Sequence, residues 1–247
     1  MSYLSRIRTR VGEEGYWNTF KYGTLVGLDS LRGFARDSYL DLRYSGKVLH
    51  GNQASEFKAL GANDVYHTDY GAMPFIFGQA AIAPEDVLVD VGCGKGRVIN
   101  YWLSCSYANR IVGLELDPAV AASTARQFAA RPNVAIVPGD AIANLPPDGT
   151  VFYFYNPFTE EKVGEFERTL RKRAGKKAVK VVYYNPKSLH AFDNPHWSIQ
   201  TFDFAKDFGV KRWGRLNKYH DLAVITKTNP AFAGQVSGGL PPETCVP

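Results

Sequence analysis

The sequence predicts an α/β fold: a doubly wound, mainly parallel seven-stranded sheet with an antiparallel hairpin at one edge, plus an N-terminal cap. Three observations support this prediction. Short apolar runs alternate with helical segments from about residue 86, a glycine-rich turn follows the first run, and no convincing helix separates the last two runs. Parallel strands need long crossovers, whereas an antiparallel pair can be joined by a loop.

Five apolar runs predict the parallel strands, at residues 87–91, 111–116, 134–137, 151–155 and 178–184. Helical segments at 96–105, 118–131 and 159–173 alternate with them. The first has its apolar residues on one side, and the second begins with Pro118 directly after Asp117, as at a capped helix start. Right-handed crossovers then place helices on both faces of the sheet.

The two ends of the chain depart from this alternation. Residues 199–204 and 222–226 predict the antiparallel edge pair, joined by a polar loop over 206–220. Residues 1–65, with a helical stretch at 25–40, predict a cap on the substrate side of the sheet. The ligand-binding domain is expected over 66–228, and a poorly ordered Pro-, Gly- and Ala-rich tail over 229–247.

Composition indicates a globular protein, with 45% hydrophobic and 21% charged residues among 247. No apolar segment is long enough for a secretory signal or a membrane span, and three cysteines in no ligand spacing predict no metal site, so a cytoplasmic protein is expected. Residues 168–180 carry seven basic side chains and no acid. Because no aromatic residues are interleaved, we interpret them as the end of a surface helix and expect no nucleic-acid partner; the alternative is a docking patch for an acidic partner or nucleic acid.

A glycine-rich turn follows the first predicted strand, with the sequence VDVGCGKGR over residues 89–97. Its pattern is G-x-G-x-G, with Asp90 two residues before Gly92. The dinucleotide fingerprint G-x-G-x-x-G would require a glycine where Arg97 stands. The turn therefore argues against an oxidoreductase that uses a nicotinamide cofactor.

Three further motifs follow the next three predicted strands. Glu115 comes about 20 residues after the glycine loop, at the position of an acid that bonds ribose hydroxyls. Asp140 follows the third strand, where it could accept from the amine of an adenine, and Asn156 follows the fourth. Open α/β sheets bind ligands at the carboxyl ends of their strands, so these motifs predict one binding edge.

In this order, the motifs resemble those of the seven-stranded class I S-adenosylmethionine-dependent methyltransferases over roughly residues 64–228. The chain resembles still more a bacterial subgroup with segments corresponding to residues 41–44, 66–69, 90–97, 156–158 and 183–186. Some of its relatives are similar to non-SET protein lysine methyltransferases. The chain departs from the subgroup pattern at Ser45 and at residues 67–69, both in the segment expected to touch the methyl acceptor.

The resemblance implies S-adenosylmethionine as cofactor and methyl transfer by in-line displacement to a nitrogen of a peptide side chain or small amine. It implies that Asn156 accepts hydrogen bonds from the target amine, that Tyr66 and Thr68 contact the methionyl part of the cofactor, and that Tyr66 and His67 join Asn156 as catalytic residues. The cofactor-binding residues are then Asp90, Gly92, Cys93, Gly94, Lys95, Gly96, Arg97, Glu115, Leu116, Asp140, Ala141, Asn156, Pro157 and Thr68.

Several alternatives remain open at this point. Asn156 to Phe158 also fits a strand-ending turn, Tyr66 a packing residue, and Arg97 an ion pair with a neighbouring acid instead of a contact to the methionine carboxylate, for which Lys95 is the other candidate. The candidate bases for a protonated amine are His67, Asp69, His190 and His220. At the level of function, the alternatives are an O- or C-methyltransferase of a small metabolite and a non-catalytic scaffold that keeps the cofactor cleft. The sequence does not give the oligomeric state.

Overall fold

The computed structural model of the protein describes residues 3–49, 67–207 and 220–227. Within them, one seven-stranded sheet has the order β3-β2-β1-β4-β5-β7-β6. The first five strands are parallel, and β7 is antiparallel to both β5 and β6. The predicted fold class is confirmed. The strands are β1 (Val87–Val91), β2 (Arg110–Glu115), β3 (Val134–Pro138), β4 (Val151–Tyr155), β5 (Lys180–Tyr184), β6 (Trp197–Phe202) and β7 (Leu222–Lys227).

The helices differ more from the prediction than the strands do. The first is a long N-terminal helix that is kinked at Gly15, where φ is 81°. Glycines interrupt its pattern in the sequence, so only residues 25–40 were predicted as helical. The short α2 and α6 were not predicted. The helices are α1 (Tyr3–Ser45), α2 (Met73–Gly78), α3 (Arg97–Ser104), α4 (Pro118–Gln127), α5 (Glu160–Ala174) and α6 (Phe204–Asp207), with a 3-10 helix at Leu189–Phe192.

Alternating side chains of the strands build a core on each face of the sheet. On β4, Phe152 and Phe154 pack against Phe166 of α5, with ring centroids 6.3 and 5.2 Å away. Between them, Tyr153 points to the opposite face and packs against Phe77 of α2 at 5.2 Å. The sheet is therefore covered on both faces, as expected for a mainly parallel sheet.

The strand order reverses between β1 and β4, which are direct neighbours. At this point the chain after β1 and the chain after β4 leave the same edge of the sheet in different directions. Such a switch point leaves a crevice at the carboxyl ends of the strands. The glycine loop and the Asn156 turn therefore lie on either side of one crevice.

The last turns of α1 are fixed to α3 by a buried polar network. Arg97, the first residue of α3, donates to the Asp41 carboxylate at 2.7 Å. Asp41 also accepts from the Tyr70 hydroxyl and from the Leu49 backbone N–H, both at 2.9 Å. The Ser45 hydroxyl accepts from Asn100 and from Gln127. This network places the end of α1 beside the start of α3, directly after the glycine loop.

Among the described residues, no helix is long and apolar enough to cross a membrane. In the same part of the chain, no group of His, Cys, Asp or Glu side chains could hold a metal ion. Tyr66, residues 50–65 of the predicted cap and the predicted tail at 229–247 lie outside the described residues.

We expect the buried ion pair to stabilise the fold far more than an exposed one. Asp41 is fully buried and Arg97 is 7% exposed, so Asp41→Ala leaves a buried cation without its hydrogen-bonded partner and with only Asp37 nearby, at 4.0 Å. This should cost about 3–5 kcal/mol of the free energy of unfolding. The matched control is Asp148→Ala, which removes an exposed partner of Arg110 and should cost less than about 1 kcal/mol. Equal losses for both variants in urea denaturation would contradict the assignment.

Candidate functional site

The glycine loop between β1 and α3 has a backbone that other residues could not adopt without strain. Gly92, Gly94 and Gly96 have φ values of 77°, 51° and 80°, in the left-handed region that favours glycine. A Cβ on Gly96 would lie 2.6 Å from the Phe128 ring, and one on Gly92 would lie 3.1 Å from Pro157. The loop is therefore confined between the end of α4 and the turn after β4.

Glu115, at the end of β2, holds the loop from the neighbouring strand. One carboxylate oxygen accepts from the Gly94 N–H at 2.8 Å, and the other from the Asp117 N–H at 2.9 Å. Burial raises the pKa of Glu115, although these backbone hydrogen bonds act against the rise. Each carboxylate oxygen has two acceptor positions, so both oxygens keep capacity for the hydroxyls of a ligand.

Asp90, near the end of β1, is a buried carboxyl group that is only partly satisfied. It is 3% exposed, and within the described part of the chain its Oδ2 atom has no hydrogen-bond partner. Burial, and then the charge of Glu115, raise its pKa to about 8. A buried acceptor without a donor is costly, so this atom fits a ligand that donates a hydrogen bond or carries positive charge.

The third motif forms a turn after β3. Asp140 Oδ1 accepts from the Ile142 N–H at 2.7 Å, and its Oδ2 lies 4.0 Å from the Lys162 ammonium. The Asp140 side chain is half exposed, whereas Ala141 is buried and Leu116 half-buried. Asp140 thus shapes its own turn and still presents an acceptor to the solvent side. Its contact with adenine stays a prediction.

The structure distinguishes the roles proposed for the two cations of the loop. Arg97 is directed at α1, where its guanidinium bonds Asp41, lies 4.0 Å from Asp37 and stacks over the Tyr70 ring at 5.2 Å. Arg97 therefore forms an ion pair with a neighbouring acid, which was one of its two predicted roles. A contact between Arg97 and a cofactor carboxylate remains a prediction. Lys95 is half-buried, and its backbone carbonyl accepts from Gln127.

The turn after β4 fixes Asn156 in a strained conformation. Its φ is 45°, which is uncommon outside glycine. The Tyr183 hydroxyl donates to Asn156 Oδ1 at 3.0 Å and accepts from the Ser188 N–H at 3.2 Å. Phe158 packs 6.0 Å from Phe166 in the core. The segment is thus a strand-ending turn, and it also presents a fixed amide at the crevice.

The remaining candidates have contacts or burial of their own in the structure. Thr68 is buried and its hydroxyl lies 2.6 Å from that of Tyr153, while His67 is half-buried. Asp69 accepts from the Gly71 N–H and from Arg36, and the exposed His190 pairs with Glu160 at 3.0 Å.

His220 precedes β7 and lies beside the Asn156 turn. Its ring is 5.6 Å from those of Tyr155 and Tyr184. Burial, followed by the charge of Lys187, lowers the pKa of His220, which favours the neutral ring. Among the four candidate bases, His220 thus has a ring contact with Tyr155, the residue that precedes Asn156.

Sequence analysis assigned no role to the residues that hold α1 and the amide in place, although the subgroup segments at residues 41–44 and 183–186 include two of them. Asp41, Tyr70 and Asn100 form the buried network around Arg97, and Tyr183 positions Asn156. One signal was available, because Asp37 and Asp41 are four residues apart on one helix face. The contacts of Tyr70 and Tyr183 have no local pattern.

The basic run lies at the opposite edge of the sheet from the crevice. Arg173 donates to the Leu145 carbonyl at 2.7 Å, Lys177 to that of Pro147 at 3.0 Å, and Arg171 pairs with Glu167 at 2.9 Å. These contacts agree with the predicted end of a surface helix.

We expect Asp90 to make the stability of the free protein depend on pH. Its pKa is raised from 3.8 to about 8, so the folded state keeps a proton that the unfolded state loses. The free energy of unfolding should therefore fall as the pH rises through this window. Asp90→Asn should remove much of this fall in the free energy of unfolding. Above pH 8 the variant should melt several degrees higher than the wild type, and near pH 4 the two melting temperatures should differ little.

The matched control for this experiment is Asp148→Asn, because that carboxyl is exposed. Thermal melts of the three proteins across the pH window provide the comparison. Parallel profiles for wild type and Asp90→Asn would show that Asp90 does not titrate as described.

Comparison with known proteins finds a family match over part of the chain. Residues 89–174 match the family described as "Methyltransferase domain". "Probable ribosomal RNA small subunit methyltransferase A" of Methanosarcina mazei is 30% identical over 74 residues, which are 30% of this chain and 27% of that protein. The chain thus covers about a quarter of the length of this curated relative.

Two solved structures illustrate the range of similar proteins. An RNA methyltransferase from Salinibacter ruber in complex with S-adenosyl-L-homocysteine is 16% identical, with a TM-score of 0.47 over 70% of this chain and 99% of that one. The O-methyltransferase NcsB1 from neocarzinostatin biosynthesis is 13% identical, with a TM-score of 0.46 over 65% and 53% of the two chains.

The family match begins in β1, includes the glycine loop and Glu115, and ends with α5. Residues 89–174 therefore match a methyltransferase domain, and they contribute β1 to β4 to the seven-stranded sheet.

Proposed function

We propose that the protein is an S-adenosylmethionine-dependent methyltransferase that acts on a nitrogen of a peptide side chain or small amine. The observation that carries the cofactor assignment is the buried Oδ2 of Asp90, which lacks a donor among the described residues and lies just before the glycine loop. The family match at residues 89–174 supports the same assignment.

The described residues fit this cofactor by their chemistry. The glycine loop allows close approach of a ligand to the backbone, and Glu115 keeps acceptor capacity for the two ribose hydroxyls. Asp90 would accept from the cationic amino-acid part, and Asp140 Oδ2 from the adenine amine. The bound cofactor supplies an electrophilic methyl group on a sulfonium, which is itself the leaving group.

The protein's own task in such a reaction is alignment and exclusion of water. Tyr183 holds the Asn156 side-chain carbonyl in one orientation, and the proposed role of this carbonyl is to accept a hydrogen bond from an N–H of the substrate. An amine bound there has its lone pair directed by the hydrogen bond it donates. Asn156 is therefore proposed as the residue that orients the acceptor.

A protonated amine must lose its proton before attack, because its unperturbed pKa is about 10.4 for a lysine side chain. We propose His220 as the group that accepts this proton, since it lies beside Tyr155 and its lowered pKa favours the neutral ring. Tyr66 and His67 remain candidates for the catalytic set, with Thr68 next to the cofactor.

The acceptor class needs a direct test. The curated relative is named as a ribosomal RNA methyltransferase, so the expectation of no nucleic-acid partner has no support from the comparisons. Transfer to an oxygen or carbon of a small metabolite is the alternative within the enzyme class. A scaffold that binds the cofactor without transfer is the alternative outside it.

Calorimetric titration tests the cofactor assignment. S-adenosylhomocysteine should bind to the wild type and NADH should not. Glu115→Gln removes a charged acceptor for the ribose and should weaken binding by about tenfold to a hundredfold, since hydrogen bonds to charged groups contribute about 1.5–3 kcal/mol. Glu165→Gln, at a partly exposed position on α5, is the matched control and should bind like the wild type. Unchanged affinity in Glu115→Gln would refute the site.

Transfer of labelled methyl groups to fractionated lysate tests the acceptor. Label should enter the protein or small-amine fraction, and Asn156→Ala should reduce it by about a hundredfold, comparable to the loss of one oriented polar group in an active site. Asn133→Ala, which removes a hydrogen bond at the opposite edge of the sheet, should retain full transfer. Label in RNA would assign a nucleic-acid acceptor, and no transfer into any fraction would favour the scaffold.

A further inference from the structure

Helix α1 exposes large apolar side chains along most of its length. Trp17, Phe20, Leu28, Leu31, Phe34 and Leu42 are between 48% and 74% exposed. Scattered exposed apolar residues are ordinary, but a contiguous patch marks an interaction site. With a rise of 1.5 Å per residue, the row from residue 17 to 42 is about 37 Å long.

These side chains form one stripe when the helix is viewed along its axis. At 3.6 residues per turn, residues 16–42 place them within an arc of about 140°. Tyr16 and Tyr39, which are 82% and 60% exposed, lie at the two margins of the arc. The other residues within the arc are mostly small and uncharged, such as Thr24, Gly27 and Ala35. The one charged residue in the arc, Lys21, lies at the Tyr39 margin.

In the last turns of α1, the stripe points away from the rest of the domain. On the other side of α1, Leu40, Asp37 and Asp41 are at most 6% exposed and face α3. The helix is therefore already anchored to the domain by a different face. In the described part of the chain, nothing buries the stripe.

Charge decides between the partners that an apolar stripe could bind. Lys21, Arg32 and Arg43 are exposed and follow the Tyr39 margin within about 40° of arc. The acids Asp37 and Asp41 are buried against Arg97 on the other side. Any surface that covers the stripe therefore meets a row of three cations.

A second copy of this chain fits that row poorly. If two copies paired their α1 helices antiparallel about a two-fold axis, the cationic margin of one helix would lie beside the cationic margin of the other. Three cations would then face three cations. In a parallel pair, the cationic margin of one helix would meet the other margin of its partner, and α3 already covers that side in the last turns of α1. Juxtaposed like charges oppose association. Single-stranded nucleic acid could stack on the five aromatic rings, but it would leave the three leucines of the stripe exposed, because stacking uses aromatic side chains.

We propose that the α1 stripe binds in the plane of an anionic lipid surface. A helix with Trp, Phe and Leu on one face and Lys and Arg beside it is typical of in-plane membrane binding. The tyrosines at the margins suit the boundary between headgroups and acyl chains, where aromatic rings with a polar end are enriched. This binding needs no membrane-spanning helix and does not depend on the proposed methyltransferase activity.

Co-sedimentation of the full-length protein with lipid vesicles tests the proposal. The protein should sediment with vesicles of phosphatidylcholine and phosphatidylglycerol, less with phosphatidylcholine alone, and less at high salt. The double change Arg32→Gln and Arg43→Gln should weaken binding to the anionic vesicles about thirtyfold, as expected for two basic residues near such a surface. The matched control, Lys172→Gln with Lys176→Gln, removes two exposed cations from the opposite edge of the sheet and should bind normally.

A triple change, Trp17→Ser, Phe20→Ser and Leu31→Ser, should abolish sedimentation with both kinds of vesicle. Its circular dichroism melt should match the wild type, because the three side chains are exposed. If the wild type sediments with neither kind of vesicle, the proposal is wrong. Light scattering then shows whether the stripe joins two copies, since the triple change would convert a dimer to a monomer. An RNA oligonucleotide that binds the wild type and competes with the vesicles also overturns it.

Discussion

The crevice depends on a steric constraint on the glycine loop after β1. Phe128 approaches the loop from α4 and Pro157 from the turn after β4, so a side chain at Gly96 or Gly92 has no room. Glu115 fixes the middle of the loop through the Gly94 N–H. The loop is thus held by three neighbouring segments, and its shape is determined before a ligand arrives. A preformed cradle reduces the ordering that binding would otherwise require.

The same arrangement places two buried carboxyl groups close enough to influence each other. Glu115 satisfies its oxygens with backbone donors, whereas Asp90 keeps one oxygen without a donor among the described residues. The free energy that burial of Asp90 costs the free protein is recovered when a cationic group or a donor enters. Stability and function are therefore opposed at this residue, as is common for residues of binding sites.

The fold could be predicted from the sequence because each strand is a short apolar run bounded by turn residues. Val87–Val91 and Val151–Tyr155 form strands at the predicted residues. The predicted cap at Asp117 is present, with its carboxylate accepting from the Ala119 and Val120 N–H groups. These features are local in the chain, and local propensity determines them.

Contacts distant in sequence could not be predicted in the same way. Arg97 reaches Asp41 across 56 residues, and Tyr183 reaches Asn156 across 27. Only the crossover geometry brings such pairs together. The full extent of α1 was also missed, since the kink at Gly15 and the other glycines obscure its pattern, and its apolar stripe faces away from the sheet.

The central claim is that the loop at residues 90–97 and the acid at 115 together bind an adenosyl nucleoside. A crystal structure of the protein soaked with S-adenosylhomocysteine tests it most directly. The claim predicts ribose hydroxyls within hydrogen-bonding distance of the Glu115 carboxylate and a donor from the ligand at Asp90 Oδ2. Density for the compound elsewhere, with the crevice beside Gly92 and Glu115 empty, would contradict it.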